Sequence, residues 1–203
     1  EFNEAKEELL KAIDESPELQ GLEKNIRIEE TDEGLRIQIL DEDGTAMFPS
    51  GSADMAEHTR LLLEKVTEVI EKMPQDISIE GHTDAVPFNR LDGYSNWELS
   101  TDRALATRRA LQDLGLETAR FAKVAGLSDT DPLVPDDPKN ERNRRISITL
   151  LRGTGERAEL GTDGQNGNGT GTPANGASPA QQSETPANGA APRRPTFGVP
   201  SQP

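Results

Sequence analysis

The chain changes character near residue 153, and this change limits which part can fold. Residues 153–203 hold 10 of the 18 glycines and 7 of the 14 prolines, with one valine and no isoleucine. Such a stretch cannot bury enough apolar surface to offset the entropy lost on ordering. We therefore predict one folded domain within roughly the first 150 residues. A disordered, low-complexity tail over residues 153–203 would follow it.

Acidic residues dominate the folded part. The chain carries a net charge of −15, and the tail contributes only −1 of it. A body this acidic argues against nucleic acid as a partner, because nucleic-acid-binding proteins present a basic face. It also disfavours docking on anionic lipid. An anionic polymer would have to be bound by a few placed groups.

The sequence has no cysteine, so disulfides and thiol catalysis are excluded. No apolar run approaches the ~18–20 residues needed to span a membrane. The chain opens with Glu1 and Phe2, with neither Met nor a basic segment. We therefore expect a fragment, from which any preceding membrane segment is absent.

Hydrophobic periodicity predicts a mixed order of helices and strands. Helical spacing predicts a linker helix within residues 1–24, a helix over residues 52–73, and a helix from its N-cap Ser100 to Gly115 with Leu114 buried. Alternation predicts strands near residues 26–28, 35–39, 77–79, 121–126 and 146–150. This order predicts an α+β sandwich with two helices on one face of a mixed four- to five-stranded sheet.

Neither histidine predicts an enzyme or a metal site. His58 falls within a predicted helix and is best explained as an ordinary helix residue. His82 follows a strand, but only Asp84 is near it in sequence as a second ligand. Ser100 lacks the G-x-S-x-G turn that exposes a nucleophilic serine. We expect no catalytic residues, no metal and no cofactor.

Asp84 and Arg103 form the strongest candidate for ligand recognition. Asp84 lies just past a predicted strand, and Arg103 lies in the first turn of the predicted helix that starts at Ser100. An aspartate facing an arginine and a helix N-terminus suits a zwitterion: the aspartate takes an ammonium, and the arginine and amides take a carboxylate. From the spacing alone, a plain structural ion pair between the two residues is the favoured explanation, since such pairs are common.

Three blocks of sequence resemble the OmpA-like peptidoglycan-binding domains over roughly residues 25–152. They are Gly81-His82-Thr83-Asp84, then Asn96-Trp97-Glu98-Leu99-Ser100-Thr101-Asp102-Arg103-Ala104, and Asn143-Arg144-Arg145-Ile146. The resemblance implies a β-α-β-α-β core over the predicted domain, residues 25–152.

The same resemblance implies a ligand and the residues that bind it. Asp84, after Thr83, would take the free ammonium of a meso-diaminopimelate in the peptidoglycan stem peptide. Arg103 would take the adjacent carboxylate. Backbone amides near Leu99 and Ser100 would help to bind this carboxylate. Asn96 would shape the loop that enters the helix. Either Arg144 or Arg145 would add a contact from the last strand.

Within this family the chain looks most like the MotB branch. Met47-Phe48-Pro49-Ser50-Gly51-Ser52-Ala53 and Tyr94-Ser95-Asn96-Trp97-Glu98-Leu99-Ser100 are typical of it. The branch implies a non-catalytic anchor that holds an ion-driven flagellar stator to the cell wall. It also implies a homodimer, a MotA-type partner, and a periplasmic domain of a single-span inner-membrane protein. Alternatives are an outer-membrane protein or lipoprotein tether, a peptidoglycan hydrolase, and an acidic protein-interaction module.

Two features depart from the family pattern. Many members carry acidic residues before the first core helix, where this chain has Pro49 and Gly51, so we expect no ligand contacts from that stretch. The loop over residues 85–98 is longer than in simpler members and holds Phe88, Tyr94 and Trp97. These aromatics predict either a groove for sugar or peptide, or the packing of a long loop.

Overall fold

The structure, a computed structural model, describes residues 1–153, so the predicted tail lies outside the described residues except for Gly153. The helices are α1 (Phe2–Asp14), α2 (Glu57–Ile70) and α3 (Asn96–Asp113). The strands are β1 (Ile26–Glu30), β2 (Gly34–Leu40), β3 (Ile77–His82), β4 (Phe121–Gly126) and β5 (Arg145–Leu151).

The five strands form one mixed sheet in the order β1-β2-β5-β3-β4. Only β3 and β4 pair in parallel, and the other neighbours are antiparallel. Ile148 on β5 pairs with Ile37 on β2 and Ile79 on β3, and all three side chains are fully buried. Alternation of apolar residues along the strands therefore builds the core face, and the predicted α+β class is confirmed.

Helix α1 packs against α2 and belongs to the same core. Its apolar stripe buries Leu9 and Ile13, at 1% and 2% exposure. Glu8 on its outer face forms an ion pair with Lys72, just after α2. The segment that we predicted as a linker helix is thus docked on the domain in this structure.

Helix α2 is shorter than the predicted helix over residues 52–73. Ala56 has extended backbone angles, φ −64° and ψ 152°, and its amide donates to the carbonyl of Met47. Residues 52–56 are therefore outside the helix. The Ser52 carbonyl in this segment accepts a hydrogen bond from the side chain of Arg103. After Ile70 the chain turns ahead of Pro74, which is disfavoured inside a helix.

Helix α3 begins at Asn96, so the prediction of Ser100 as its N-cap is wrong. The N-cap is Ser95, whose hydroxyl accepts from the backbone of the first turn, while Glu98 reaches back to the Ser95 amide at 2.8 Å. This capping box satisfies amides that would otherwise lack partners. The predicted burial of Leu114 is also wrong, because the helix ends at Asp113 and Leu114 is 38% exposed.

Two glycines allow α3 to lie directly against the sheet. A Cβ atom on Gly81 of β3 would lie 2.1 Å from the carbonyl oxygen of Ser100, and one on Gly126 of β4 would lie 2.2 Å from the Thr101 hydroxyl. Any larger residue would push the helix away from the strands. The glycines therefore set the distance between α3 and the residues that follow β3.

Candidate functional site

A cleft of about 310 Å³ opens where several chain segments end beside α3. Strands β2 and β3 both run antiparallel to β5, so their C-terminal ends meet at the start of β5. Asp41 follows β2, Asp84 follows β3, and Arg144 precedes β5. The cleft is lined by Asp41, Ala46, Phe48, Ser50, Gly51, Thr83, Asp84, Val86, Pro87, Phe88, Asn96, Leu99, Arg103 and Arg144.

Asp84 has Arg144 as its ion-pair partner. Nη1 of Arg144 donates to Oδ2 of Asp84 at 2.6 Å, and the amide of Val86 donates to Oδ1 at 3.0 Å. The Asp84 side chain is 9% exposed, whereas that of Arg144 is 31% exposed. The sequence left open whether Arg144 or Arg145 faces the cleft, and the structure places Arg144 there.

Asp41 is a second carboxylate in the cleft that the sequence reasoning missed. Its Oδ2 accepts from Nε of Arg144 at 2.7 Å, and its Oδ1 accepts from the amide of Met47 at 2.7 Å. Burial raises the pKa of Asp41, while hydrogen bonds from Met47 and Arg144 oppose that rise. The only sequence signal was Asp41 at the start of an acidic turn, which did not distinguish a site residue from a turn residue.

Arg103 lines the cleft from the side of α3. Its Nε donates to the Ser52 carbonyl at 2.9 Å and its Nη2 to the Pro49 carbonyl at 3.2 Å. The guanidinium also lies over the ring of Phe48, with its central carbon 5.1 Å from the ring centroid. Burial lowers the pKa of Arg103, and the negative charge of Asp41 opposes this most strongly.

The expected help from a helix N-terminus is wrong, because α3 starts earlier than predicted. Arg103 lies beyond the first turn, and the Leu99 amide already donates to the Ser95 carbonyl at 3.0 Å. The Leu99 side chain nevertheless lines the cleft. The Leu99 amide is therefore not free to bind a ligand carboxylate.

The stretch over residues 49–52, from which we expected no ligand contacts, forms one wall of the cleft. Ser50 and Gly51 line the cleft, and the carbonyls of Pro49 and Ser52 hold the Arg103 guanidinium. Carbonyl oxygens can replace acidic side chains as acceptors for an arginine. Backbone carbonyls of this stretch therefore hold Arg103 in this chain.

Thr83 and Asn96 complete the polar lining. The Thr83 hydroxyl is buried and lacks a hydrogen-bond partner among the described residues, which marks it as a group that a ligand could satisfy. The Asn96 side chain donates to the carbonyls of Val86 at 3.1 Å and Asp84 at 3.5 Å. Asn96 therefore ties the segment after β3 to the start of α3.

Ser100 and Arg145 lie outside the cleft lining. The Ser100 hydroxyl donates to the Trp97 carbonyl at 3.0 Å and accepts from the Ser128 amide at 3.0 Å, so this side chain packs inside the domain. Arg145 donates through both terminal nitrogens to Asp131, at 3.0 Å each. The structure therefore gives Ser100 a packing role, and it pairs Arg145 away from Asp84.

The aromatic residues of the long loop divide between packing and exposure. Phe88 lines the cleft, and its ring meets that of Tyr94 edge to face at a centroid distance of 6.0 Å. The Tyr94 hydroxyl donates to Asp102 at 2.7 Å. Trp97 is 52% exposed on the first turn of α3. Loop packing accounts for Phe88 and Tyr94 but not for Trp97.

Within residues 1–153, no cluster of three or more histidine, aspartate or glutamate side chains could hold a metal ion. None of the helices in that part of the chain combines the length and apolar character needed to cross a bilayer. The four charged side chains of the cleft, Asp41, Asp84, Arg103 and Arg144, have a formal net charge of zero. Their arrangement suits a ligand that carries both charges.

The OmpA family model matches residues 47–145. This span contains α2, β3, α3 and β4 and three of the four charged cleft residues, Asp84, Arg103 and Arg144. The chain carries an OmpA-family domain. It is 41% identical over 149 residues to Motility protein B of Escherichia coli K12, covering 73% of this chain and 48% of that protein. The chain thus spans about half the length of this relative.

Two solved structures share the fold of the OmpA-family domain. A MotB-like protein from Desulfovibrio vulgaris superposes with a TM-score of 0.61 at 25% identity, covering 74% of this chain and 94% of that one. The cell wall anchor of the T6SS from Pseudomonas aeruginosa gives a TM-score of 0.55 at 28% identity, covering 63% and 88%. The MotB and OmpA-like families consist of non-catalytic structural proteins. The expectation that the chain is not an enzyme is therefore confirmed.

Proposed function

We propose that this domain binds peptidoglycan without cleaving it and anchors an ion-driven flagellar stator to the cell wall. The observation that carries the proposal is the charge-balanced cleft, which lies in a domain similar to Motility protein B and to a cell wall anchor. An acidic protein that binds a charged polymer needs such local complementarity. The fixed wall would resist the reaction force that accompanies torque on the rotor.

The ligand would be the side arm of a meso-diaminopimelate residue in a stem peptide. Its ammonium would bind Asp84, and its carboxylate would bind Arg103 and Arg144. Arg144 is the most exposed of these three side chains and already contacts Asp84 at 2.6 Å. Ligand binding would therefore exchange an internal ion pair for two intermolecular ones, so the net gain in free energy would be modest for each pair.

The remaining parts of the proposal concern the whole protein. The domain would lie in the periplasm, following a single membrane helix, and would act as a homodimer with a MotA-type partner. Similarity to Motility protein B supports this assignment over an outer-membrane or lipoprotein tether. A deletion strain that loses motility with an intact envelope would agree with the stator assignment, whereas envelope leakage would favour the tether.

Co-sedimentation with purified sacculi tests the binding. Wild type should pellet, and Asp84→Ala and Arg103→Ala should stay in solution while remaining folded by circular dichroism. Asp113→Ala and Arg27→Ala are matched controls, because each removes the same charge at an exposed position, on α3 and β1 respectively. Soluble muropeptides released from sacculi would contradict a non-catalytic role. Equal pelleting of all five proteins would contradict the assigned site.

A further inference from the structure

Asp41 is held in place from two directions at the edge of the cleft. Its side chain is 6% exposed, and each carboxylate oxygen accepts one hydrogen bond, from the Met47 amide and from Nε of Arg144. The backbone amide of Asp41 also donates to the Arg144 carbonyl at 3.1 Å. Asp41 and Arg144 are thus joined through both main chain and side chain.

Arg144 donates hydrogen bonds to two carboxylates on different edges of its guanidinium, and the Glu141 carboxylate lies 3.8 Å from Nη2. Nε faces Asp41 at 2.7 Å, and Nη1 faces Asp84 at 2.6 Å. Occupation of the Nε edge directs the terminal nitrogens towards Asp84 and the open cleft. Asp41 therefore determines which side of Arg144 a ligand can meet.

The charges of the cleft show what Asp41 does for Asp84. Without Asp41, two guanidinium groups would face a single carboxylate, and the cleft would carry a net charge of +1. Arg144 would then have Asp84 as its main partner, and a ligand ammonium would compete with the full charge of Arg144. Burial raises the pKa of Asp41, so its ionised form is maintained at a cost that Arg144 and the Met47 amide offset.

We propose that Asp41 is a positioning residue that sets the specificity of the cleft. It orients and neutralises Arg144, which leaves Asp84 available to an ammonium and makes the cleft select a zwitterion over a simple anion. This inference rests on the proposed function, because it requires that the cleft binds a zwitterionic side arm. A purely structural Asp41 would instead fix the turn to Met47 and leave ligand selectivity unchanged.

Isothermal titration calorimetry of the 203-residue chain with three synthetic stem peptides tests the inference. One carries a free meso-diaminopimelate side arm, one has the side-arm amine acetylated, and one has the side-arm carboxyl amidated. Asp41→Asn keeps an oxygen for the Met47 amide but removes the charge. The measured quantity is the ratio of Kd for the amidated peptide to Kd for the acetylated peptide, which reports preference between ammonium and carboxylate.

In Asp41→Asn this ratio should rise about tenfold over wild type, since a tenfold change corresponds to a modest electrostatic difference. Asp43→Asn, an exposed aspartate paired with Lys24, is the matched control and should leave the ratio unchanged. If Asp41→Asn does not fold, Arg144→Gln replaces it and should lower the ratio.

An unchanged ratio in a folded variant, with wild type still binding the unmodified peptide, overturns the role of Asp41 alone. Equal weakening of all three peptides also overturns it, because that pattern indicates a structural role. Failure of wild type to bind any of the peptides overturns the proposed ligand site and the role of Asp41 together. These outcomes separate the inference from the function on which it rests.

Discussion

Arg144 and Asp84 form an ion pair with Nη1 and Oδ2 separated by 2.6 Å, although the two residues are 60 positions apart in sequence. Asp84, which we propose to bind a ligand ammonium, is therefore already paired with Arg144 inside the protein. A ligand must offer both an ammonium and a carboxylate to replace this contact without leaving a buried charge unpaired. On the proposed function, the pair therefore favours a zwitterion over a cation alone.

Removal of either charge from the ligand should weaken binding. A stem peptide with its side-arm amine acetylated, or with its side-arm carboxyl amidated, leaves one of the charged cleft residues unpaired. We expect each to bind wild type at least about tenfold more weakly than the unmodified peptide. Competition against sacculus pelleting measures this. Equal competition by all three peptides would contradict recognition of a zwitterion.

Gly81→Ala should destabilise the domain strongly. A methyl group there would lie 2.1 Å from the Ser100 carbonyl oxygen, so α3 or β3 would have to move. Overpacking of this kind costs about 1–3 kcal/mol or more in free energy of unfolding. Urea denaturation measures the change. Gly21→Ala is the control, since its Cβ would meet no neighbour and its φ of +87° adds only backbone strain of about 1–2 kcal/mol. The cost at Gly81 should exceed the cost at Gly21. Similar costs at both positions would argue against close contact of α3 with β3.

Ser95→Ala should weaken the start of α3. The change removes the hydroxyl of the capping box, and loss of an N-cap costs about 1 kcal/mol in free energy of unfolding. Glu98→Ala removes the reciprocal hydrogen bond to the Ser95 amide. Because the two side chains act together, the double variant should cost less than the sum of the single variants in urea denaturation. Strict additivity would show that the capping box does not form in solution.

His82 should make the domain less stable in acid. Burial, with the positive charge of Arg145, lowers the pKa of His82 to about 4, and the exposed Asp131 carboxylate at 4.0 Å opposes this only in part. A histidine with a depressed pKa in the folded state binds fewer protons than in the unfolded state. Stability is therefore complete above about pH 6.5 and falls as the pH drops towards 4.

The measurement is the free energy of unfolding at pH 7 and pH 4.5 in wild type and His82→Gln. The loss attributable to His82 is at most about 3 kcal/mol, because one pKa unit corresponds to ~1.4 kcal/mol. His82→Gln should reduce the difference in free energy of unfolding between the two pH values. An unchanged difference in His82→Gln would show that carboxyl groups alone produce the acid sensitivity.

Local signals predicted the strands more accurately than the helix starts. Alternation at Ile146, Ile148 and Leu150 identified β5, because the face of a strand that packs on an apolar core places apolar residues at every second position. The start of α3 was misplaced because both Ser95 and Ser100 are good N-cap residues. Glu98, three residues after Ser95, was the sequence signal for the correct cap.

Part of the candidate site was visible in the sequence as motifs. Asp84, Arg103 and Asn96 stand in blocks that resemble a known family, and the structure places all three at one cleft. Asp41 has no such motif, since it begins an acidic turn and could equally have faced solvent. Its burial depends on Arg144, which lies 103 positions away and approaches only when β2 pairs with β5.

The sequence by itself determined the α+β class, the strand pattern and the charge types available for binding, because periodicity and residue chemistry are local properties. The tertiary structure decided which charges meet. Arg103 and Asp84 were expected to face each other. In the structure, Arg103 donates hydrogen bonds to the carbonyls of Pro49 and Ser52. Asp84 instead forms an ion pair with Arg144. Pairing between distant residues depends on strand order and on helix position, and neither is encoded in the spacing of a single motif.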